Sequence, residues 1–463
     1  MWAIVSEVIR IGAPSSDLIS CCKKELTFSN PEYAKKQRMG LYTGKTPKQV
    51  VLYEKDGKDY ILPHGCLAKV QSMCDNVLYT YRDGASIDYG ADIELYDYQI
   101  EAVTQLMIAG NGILQSPAGS GKTQMGLALI TKLGLKALWI THTKDLLTQS
   151  KERAEMYIKS DLLGTITEGK VNIGEGITFA TVQTLANIDL SRYRDTWDVI
   201  VVDECHRVAG SPTKITQFSH ALNNLSARHK YGLSATVHRS DGLIKATYAL
   251  LGNVVHVVPE SAVSSRIMQV GVVPVYTGTE VSLDCLNTDG TLNYSRMINY
   301  LCREYYRFEK TVSVIADDCR GKSTLILSDR LEHLRDLRNA LPWELKDRSV
   351  MVDGSMTSAK SKAERAQAIE DMRTGKKKYL FATYSLAKEG LDIPCLERLL
   401  LTTPHHDYAV ITQSIGRIAR KHSDKTDALV YDFVDDIPFC AHGYKKRKSI
   451  YRKNNCYFPE VSV

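Results

Sequence analysis

The stretch QSPAGSGKTQ, residues 115–124, decides the fold of this chain. It follows the short apolar run GIL and precedes a segment in which Met125, Leu129 and Leu133 recur every four residues, as they do on one face of a helix. Strand, glycine-rich loop and helix in this order are the setting of a phosphate-binding loop. Ser116 stands where the pattern G-x-x-x-x-G-K-[ST] has its first glycine, but the later glycine, lysine and threonine are intact. We therefore predict a nucleotide site at the end of a strand in an α/β domain.

The residues of this loop suit a nucleoside triphosphate and Mg²⁺. The glycines let backbone N–H groups close around phosphates, and the N-terminus of the following helix adds its partial positive charge. The lysine would reach the outer phosphates, and the threonine hydroxyl would ligate Mg²⁺. The predicted binding residues of the loop are Gly119, Ser120, Gly121, Lys122 and Thr123.

An acidic pair follows a second apolar strand in the stretch WDVIVVDECHRVAG, residues 197–210. We expect this strand to lie beside the strand of the phosphate loop, because nucleotide-bound Mg²⁺ needs a carboxylate there. Asp203 would then hold the metal, and Glu204 would orient or deprotonate the attacking water.

Short apolar runs recur from residue 93 onward in two successive blocks. The first block contains GILQS, ALWITH, ITFAT, DVIVVD and KYGLSAT, and the second contains STLILSD, YLFATYS, RLLLTTP and ALVYDFVD. Polar segments of helical pattern lie between the runs, which favours parallel sheets covered by helices. We predict an α/β chain with a small β-rich accessory domain at 1–92, α/β lobes at 93–258 and 259–436, and a basic tail at 437–463.

Composition excludes several classes of protein. The chain has 463 residues, 44% of them hydrophobic and 24% charged, and no apolar run approaches the ~20 residues that span a membrane. The N-terminus carries Glu7 and no small-residue cleavage site, unlike a signal peptide. Eleven scattered cysteines without C-x-x-C favour reduced thiols in a cytoplasmic compartment over disulfides or a zinc ribbon. The net charge of +6 permits a polyanionic partner.

Seven blocks in order resemble the motifs of superfamily two helicases. They are SPAGSGKT (116–123), THTKDLLTQ (141–149), ATVQTL (180–185), DECH (203–206), GLSATVHRSDG (232–242), ATYSLAKEGLDIP (382–394) and QSIGRIAR (413–420). The D-E-x-H form and the R-x-D-G tail of the fifth block resemble the XPB-like group. The resemblance implies two tandem RecA-like parallel-sheet lobes and the use of ATP with Mg²⁺.

The resemblance also implies roles for particular residues. The catalytic set would be Lys122, Glu204, Gln413, Arg417 and Arg420. A spacing of three would put both arginines on one helix face, from which they would offset charge on the γ-phosphate. Gln99 would contact adenine, Gly390 and Asp392 would lie near the ribose, and His206 would couple the metal site to Ser234 and Thr236. Contacts with the nucleic-acid strand would come from Thr141, His142, Lys144, Thr181, Thr184, Ser328 and Thr383.

Within the superfamily, the NPEYAKK…LY…LPHG stretch looks most like phage branched-DNA helicases and poxvirus transcript-release helicases. We expect a monomeric ATP-dependent DNA helicase or translocase that acts on forked or branched DNA, moves 3′ to 5′, and serves replication, recombination or repair. An RNA helicase, a translocase working with RNA polymerase, and a non-motor nucleic-acid scaffold remain alternatives. A viral chain would work in the host cytoplasm, with the nucleus as the other location.

The front domain and the basic C-terminal segment each have alternative interpretations. The front domain either selects branched or duplex DNA or packs on the first lobe. The segment YKKRKSIYRKNN, residues 444–455, has six Lys/Arg and no acid, and either binds phosphates, forms a solvated helix face or acts as a nuclear import signal. Tyr444 and Tyr451 are two helical turns apart, which favours docking of the segment on the second lobe.

Overall fold

The computed structural model describes residues 1–44, 46–117, 119–209, 211–235, 243–263, 267–352, 359–388 and 393–459. The chain forms two compact units, Met1–Pro259 and Glu260–Val463. The first unit combines the front of the chain with the phosphate-loop block, and the second contains the other α/β block.

The front of the first unit is a small module of strands and helices. Its elements are β1 (Trp2–Val5), β2 (Val8–Gly12), α1 (Ser16–Glu25), β3 (Thr27–Ser29), α2 (Pro31–Arg38), β4 (Gln49–Val51), β5 (Glu54–Asp56), β6 (Asp59–Pro63), α3 (Leu67–Met73) and β7 (Asn76–Tyr79). Five strands form a sheet in the order β5-β6-β2-β1-β7. Alternate side chains such as Ile9 and Ile11 are buried in its core, as expected for a sheet covered on one face. Gly57, at φ +60°, turns the chain between β5 and β6.

A separate two-stranded ribbon, β3 with β4, carries the insertion formed by residues 30–48. Phe28 and Val50 of the ribbon and the adjacent Leu52 pack against apolar residues of the phosphate-loop block. Those residues are Ala209, Ile215, Leu243 and Ala246. The base of the ribbon is therefore fixed to that block.

The phosphate-loop block is built on an eight-stranded sheet. Its elements are α4 (Asp97–Ala109), β8 (Gly112–Gln115), α5 (Lys122–Leu133), β9 (Ala137–Thr141), α6 (Lys144–Glu155), β10 (Leu163–Thr167), β11 (Lys170–Asn172), β12 (Ile177–Thr181), α7 (Val182–Leu185), β13 (Val199–Asp203), α8 (Pro212–Asn223), β14 (His229–Ser234), α9 (Ile244–Leu251) and β15 (Val254–Val257). The strand order is β11-β10-β12-β9-β13-β14-β8-β15, and only the β10–β11 pair is antiparallel.

One expectation about this sheet is wrong. The strand with the acidic pair, β13, does not neighbour the phosphate-loop strand β8, because β14 lies between them. The three strands still end at one edge of the sheet. There the N–H of Ser116 donates to the carbonyl of Ser234 at 2.9 Å. The middle strand therefore contacts the phosphate loop directly.

The front module and the phosphate-loop block share buried contacts. The amine of Lys230, at the start of β14, is fully buried and donates to the carbonyls of Glu7 at 2.9 Å and Leu222 at 2.6 Å. Burial lowers the pKa of Lys230 to about 7. A Cβ at Gly65, in the front module, would lie 2.4 Å from the backbone nitrogen of Gly252. The contacts at this junction thus depend on Lys230 in the phosphate-loop block and on Gly65 in the front module.

The second unit has a six-stranded parallel sheet in the order β16-β21-β20-β17-β19-β18. Its elements are α10 (Glu260–Val263), β16 (Gly271–Tyr276), α11 (Tyr294–Arg303), α12 (Tyr305–Ser313), β17 (Thr324–Ser328), α13 (Leu331–Ala340), α14 (Trp343–Asp347), β18 (Ser349–Val352), α15 (Ala359–Arg373), β19 (Tyr379–Thr383), α16 (Tyr384–Lys388), β20 (Arg398–Leu401), α17 (Tyr408–Ile418), β21 (Leu429–Val434) and α18 (Pro438–Lys453). Each of the nine apolar runs forms a strand, so the predicted α/β fold with parallel sheets is confirmed.

The basic segment near the C-terminus lies on α18, whose apolar face is buried in the core of the second unit. Tyr444 and Tyr451 belong to that core. Arg447 is 2% exposed and forms a buried ion pair with Asp432, at 2.8 Å between Nη2 and Oδ1. Arg447 is therefore part of the core, whereas its neighbour Lys446 is exposed.

Two further predictions concern cysteines and membranes. All eleven cysteines lie in the described ranges, and each is a free thiol. Among the helices of those ranges, none has both the length and the apolar character required to cross a membrane.

Candidate functional site

The phosphate loop joins β8 to α5 through two glycines in left-handed conformations. Gly119 and Gly121 have φ values of +80° and +81°, which other residues rarely adopt. A Cβ at Gly121 would also lie 2.5 Å from Nε2 of Gln99. Ser116 is not among the described residues with positive φ, so this position requires no glycine. Its hydroxyl donates to Oγ of Ser120 at 2.5 Å and ties the two ends of the loop together.

Two side chains at the start of α4 brace the loop. Gln99 is buried, and its Nε2 donates to the carbonyl of Ser120 at 2.8 Å while its Oε1 accepts from the N–H of Tyr96 at 3.0 Å. The hydroxyl of Tyr98 donates to the same Ser120 carbonyl at 3.0 Å. Because both ends of the Gln99 amide are engaged within the protein, its contact with adenine stays a prediction. Tyr98 was not predicted, although it stands directly beside the predicted glutamine.

Lys122 lies in the first turn of α5, directly over the loop. Its Nζ donates to the carbonyls of Ser116 and Pro117 at 3.4 Å each, which is long for a hydrogen bond. Phosphate oxygens would form shorter, charge-assisted bonds with this ammonium. The N–H groups of the same helical turn add partial positive charge. These features together favour binding of a phosphate chain.

The acidic pair ends β13. Glu204 has φ +47° and ψ +49°, a left-handed conformation that costs a residue other than glycine about 1–3 kcal/mol and is concentrated at functional sites. Its N–H donates to Oδ1 of Asp203 at 2.9 Å. Burial and the negative charge of Glu204 raise the pKa of Asp203 well above its usual range. Burial opposes ionisation of Glu204, but the ammonium of Lys122 and the hydrogen bond with His206 outweigh it and hold its pKa below the usual range.

His206 connects the acidic pair with the middle strand β14. Its Nδ1 lies 3.0 Å from the hydroxyl of Ser234 and 3.3 Å from Oε2 of Glu204. The structure therefore places the predicted coupling residues His206 and Ser234 in contact. Thr236, the third predicted coupling residue, lies outside the described residues.

Under the helicase role that the sequence motifs imply, we expect Ser234→Ala to slow strand unwinding more than ATP hydrolysis. The change removes one hydrogen bond to His206, worth about 1 kcal/mol, without removing a group that touches the nucleotide. The ratio of unwinding rate to ATP turnover should fall about fivefold, measured on one duplex substrate. Ser191→Ala, at an exposed position of the same unit, should leave the ratio unchanged. Equal falls in both rates for Ser234→Ala would contradict a coupling role.

The predicted strand-contacting residues of the first unit are mostly buried. The hydroxyl of Thr141 donates to a backbone carbonyl of its own loop at 3.0 Å, and those of Thr181 and Thr184 bond each other at 2.9 Å. His142 is also buried. Lys144 is exposed, and its Nζ lies 2.7 Å from a glutamate oxygen. The buried hydroxyls serve the fold in this structure, so their contact with nucleic acid stays a prediction.

The predicted strand-contacting residues of the second unit also bond to other side chains of the protein. The hydroxyl of Ser328 is buried and lies 3.1 Å from Nδ1 of His333, while that of Thr383, which is half-buried, lies 2.9 Å from the Ser385 hydroxyl. Gly390 and Asp392 lie outside the described residues.

Helix α17 carries Gln413 and Arg417. Oε1 of Gln413 is buried and accepts no hydrogen bond from the described residues. The expectation that Arg417 and Arg420 share one helix face is wrong, because the helix ends before Arg420. Nζ of Lys425 donates to the carbonyls of Ile418 at 2.6 Å and Arg420 at 2.5 Å, which caps the helix end. Both arginines remain half-buried.

The residues around the phosphate loop suit Mg²⁺ bound together with nucleotide phosphates. Asp203 is buried and Glu204 is half-buried, and a divalent cation would relieve the charge repulsion between these two carboxylates beside Lys122. Thr123 and Asp203 are the residues that would hold Mg²⁺, which takes one or two protein ligands when phosphates provide the rest. The described residues contain no cluster of three or more histidines, cysteines or acids that could hold a metal by itself. When bound, Mg²⁺ would neutralise charge on the phosphates.

Two family models match the chain. The model for the type III restriction enzyme res subunit matches residues 92–239, and the model for the helicase conserved C-terminal domain matches residues 306–422. The first match includes the phosphate loop and the acidic pair, and the second includes α17 and Arg420.

Proteins of viruses and archaea are similar to this chain. One from Acanthamoeba polyphaga mimivirus, L396, is named as an ATP-dependent RNA helicase and is 26% identical over 332 residues, 70% of this chain and 60% of that protein. Helicase D10 of Escherichia phage T5 is 26% identical over 346 residues, 74% of this chain and 72% of D10. The DNA 3′-5′ translocase XPB2 of Sulfurisphaera tokodaii is 24% identical over 376 residues, 74% of this chain and 82% of XPB2. The chain therefore spans three fifths of the mimivirus relative.

A solved structure shows the same fold. S. cerevisiae Dbp5 bound to RNA and ADP BeF3 has a TM-score of 0.53 and 17% identity, covering 86% of this chain and 94% of Dbp5. The chain thus carries matches to a res-subunit model and to a helicase C-terminal domain model, one in each of its two α/β blocks. Its homologues include viral and XPB-like helicases of superfamily two.

Proposed function

We propose that this protein is an ATP-dependent DNA helicase or translocase that acts on forked or branched DNA and moves 3′ to 5′. The observation that carries the proposal is the acidic pair at the end of β13. Glu204 is held in a strained conformation beside buried Asp203, in the positive field of Lys122. Such an arrangement serves a reaction in which water attacks a metal-bound phosphate.

The chain's own residues would divide the work of ATP hydrolysis. The loop glycines and Lys122 bind the phosphates, Asp203 and Thr123 hold Mg²⁺, and Glu204 accepts a proton from the attacking water. Residues Gln413, Arg417 and Arg420 would act on the γ-phosphate. His206 and Ser234 would then report the state of that reaction to the strand-binding loops.

Substrate and direction rest on the relatives and on charge. XPB2 is named as a DNA 3′-5′ translocase, which favours DNA and that polarity. The front module, which is joined to the phosphate-loop block by buried contacts, carries exposed cations and would bind the fork. Replication, recombination and repair all supply forked or branched DNA.

The test is ATP turnover measured in parallel without nucleic acid, with single-stranded DNA, with forked DNA and with RNA. We expect stimulation by DNA, with the fork as the strongest activator, and unwinding of duplexes with a 3′ tail but not a 5′ tail. A duplex with two blunt ends is the matched control for the tails. Turnover that rises only with RNA would contradict the proposal.

An RNA helicase is the second candidate. The name of the mimivirus relative favours it. A translocase that acts on RNA polymerase complexes is a related alternative. It would release transcripts from a stalled complex without unwinding free RNA.

A further inference from the structure

The tip of the insertion between β3 and β4 exposes apolar side chains. Met39, Leu41 and Tyr42 are 59%, 54% and 92% exposed, and they lie within four consecutive residues. Single exposed apolar residues are ordinary, but several of them together on one exposed loop indicate a contact surface.

The shape of this tip is fixed by hydrogen bonds. The N–H of Leu41 donates to the carbonyl of Lys36 at 2.9 Å, and Nζ of Lys36 donates to the hydroxyl of Thr46 at 2.7 Å. Nδ2 of Asn30 donates to the carbonyl of Pro47 at 2.8 Å and closes the insertion at its base. The apolar side chains are therefore held outward by a braced loop.

Positive charge surrounds the tip. Residues 31–51 contain five Lys/Arg and one acid, Glu32, which lies 3.4 Å from Nζ of Lys36. The side chains of Lys35, Arg38 and Lys48 are exposed. A partner with a negatively charged backbone and flat apolar faces complements this pattern, and nucleic acid has both.

The ribbon that carries the tip is anchored to the phosphate-loop block. Phe28, Val50 and Leu52 pack against a small core that includes Ala209 and Leu243. Ala209 follows the acidic pair by a few residues, and Leu243 starts the segment that leads into α9. The base of the ribbon therefore packs on residues that lie close in the chain to the acidic pair.

We propose that the tip formed by residues 39–44 is the strand-separation wedge of this motor. Tyr42 and Leu41 stack on the last base pair at a DNA junction, while Lys35, Arg38 and Lys48 contact the phosphates beside it. This inference rests on the proposed function, since it requires a motor that moves on DNA.

The test compares Tyr42→Ala with wild type and with Tyr306→Ala, a tyrosine of the second unit that is 77% exposed. Tyr42→Ala should unwind forks about tenfold more slowly, the scale of one lost base–aromatic stack. Its ATP turnover on single-stranded DNA should stay within about twofold of wild type, because that assay requires no strand separation. Tyr306→Ala should match wild type in both assays, and Tyr42→Trp should restore unwinding.

A second readout is 2-aminopurine placed at the junction base pair. Its fluorescence should change when wild-type protein binds without ATP, and this change should disappear for Tyr42→Ala. Normal fork unwinding by Tyr42→Ala, beside an active wild type, would overturn the wedge alone and leave the tip as a surface for a protein. Failure of the wild-type protein to unwind any DNA would overturn the wedge and the proposed function together.

Discussion

Glu204→Gln protein should bind ATP as wild type does but turn it over about 10³-fold more slowly, a loss typical for removal of a general base. The substitution keeps the shape of the side chain and removes the group that accepts the proton. The ammonium of Lys122 lowers the pKa of Glu204 and so favours its ionised form, and a neutral amide therefore changes the charge at the position where water would attack. Nucleotide affinity from fluorescence titration and kcat from steady-state turnover separate the two effects.

Lys122→Ala provides the contrast. Loss of the ammonium removes phosphate binding itself, so affinity for ATP should fall along with turnover. Glu175→Gln, an exposed change in the same unit, is the matched control and should alter neither quantity. Turnover near the wild-type value in Glu204→Gln would remove Glu204 from its proposed role, whatever Lys122→Ala does.

Arg447→Gln should lower the free energy of unfolding of the second unit by about 3–5 kcal/mol, the range found when one partner of a buried ion pair is removed. Asp432 would lose its ion-pair partner and retain the bond from the Tyr451 hydroxyl at 2.7 Å. Arg447 also donates to the carbonyl of His405 at 3.2 Å, and that carbonyl would lose its donor. Burial works against the charged guanidinium, but Asp432 more than compensates and raises the pKa of Arg447.

The matched control is Lys446→Gln on the exposed side of α18, which should change stability by no more than about 0.5 kcal/mol. Urea unfolding followed by circular dichroism measures both variants. Equal stability of the two variants would contradict a structural role for Arg447. The same variant tests the hypothesis that the basic segment binds phosphates, because loss of a phosphate contact at Lys446 would flatten the salt dependence of nucleic-acid affinity.

The sequence predicted the sheets well because their strands are continuous apolar runs that parallel sheets require. It also predicted the phosphate loop, since glycine, lysine and threonine at fixed spacing leave few other structures. The order of the strands within the sheet was harder to predict. Nothing in the local pattern of β13 shows that β14 separates it from β8, because strand order depends on contacts between distant segments.

Local sequence patterns failed mainly to predict which polar side chains are buried. Arg447 reads as one more cation in a basic run, and its partner Asp432 lies on a different element. Thr141 and Ser328 follow strands and look available to a ligand, yet their hydroxyls satisfy buried groups. Arg420 follows the motif spacing, but the end of α17 depends on Lys425, which comes after the motif.

The junction between the front module and the phosphate-loop block limits how the front module can be exchanged between relatives. Lys230 bonds the carbonyl of Glu7, and Gly65 requires a backbone without obstruction at Gly252. A chimera that takes its first 90 residues from a relative would have to inherit the matching residues far downstream as well. The front module therefore cannot be exchanged by itself, and we expect its sequence to change in evolution together with that of the phosphate-loop block.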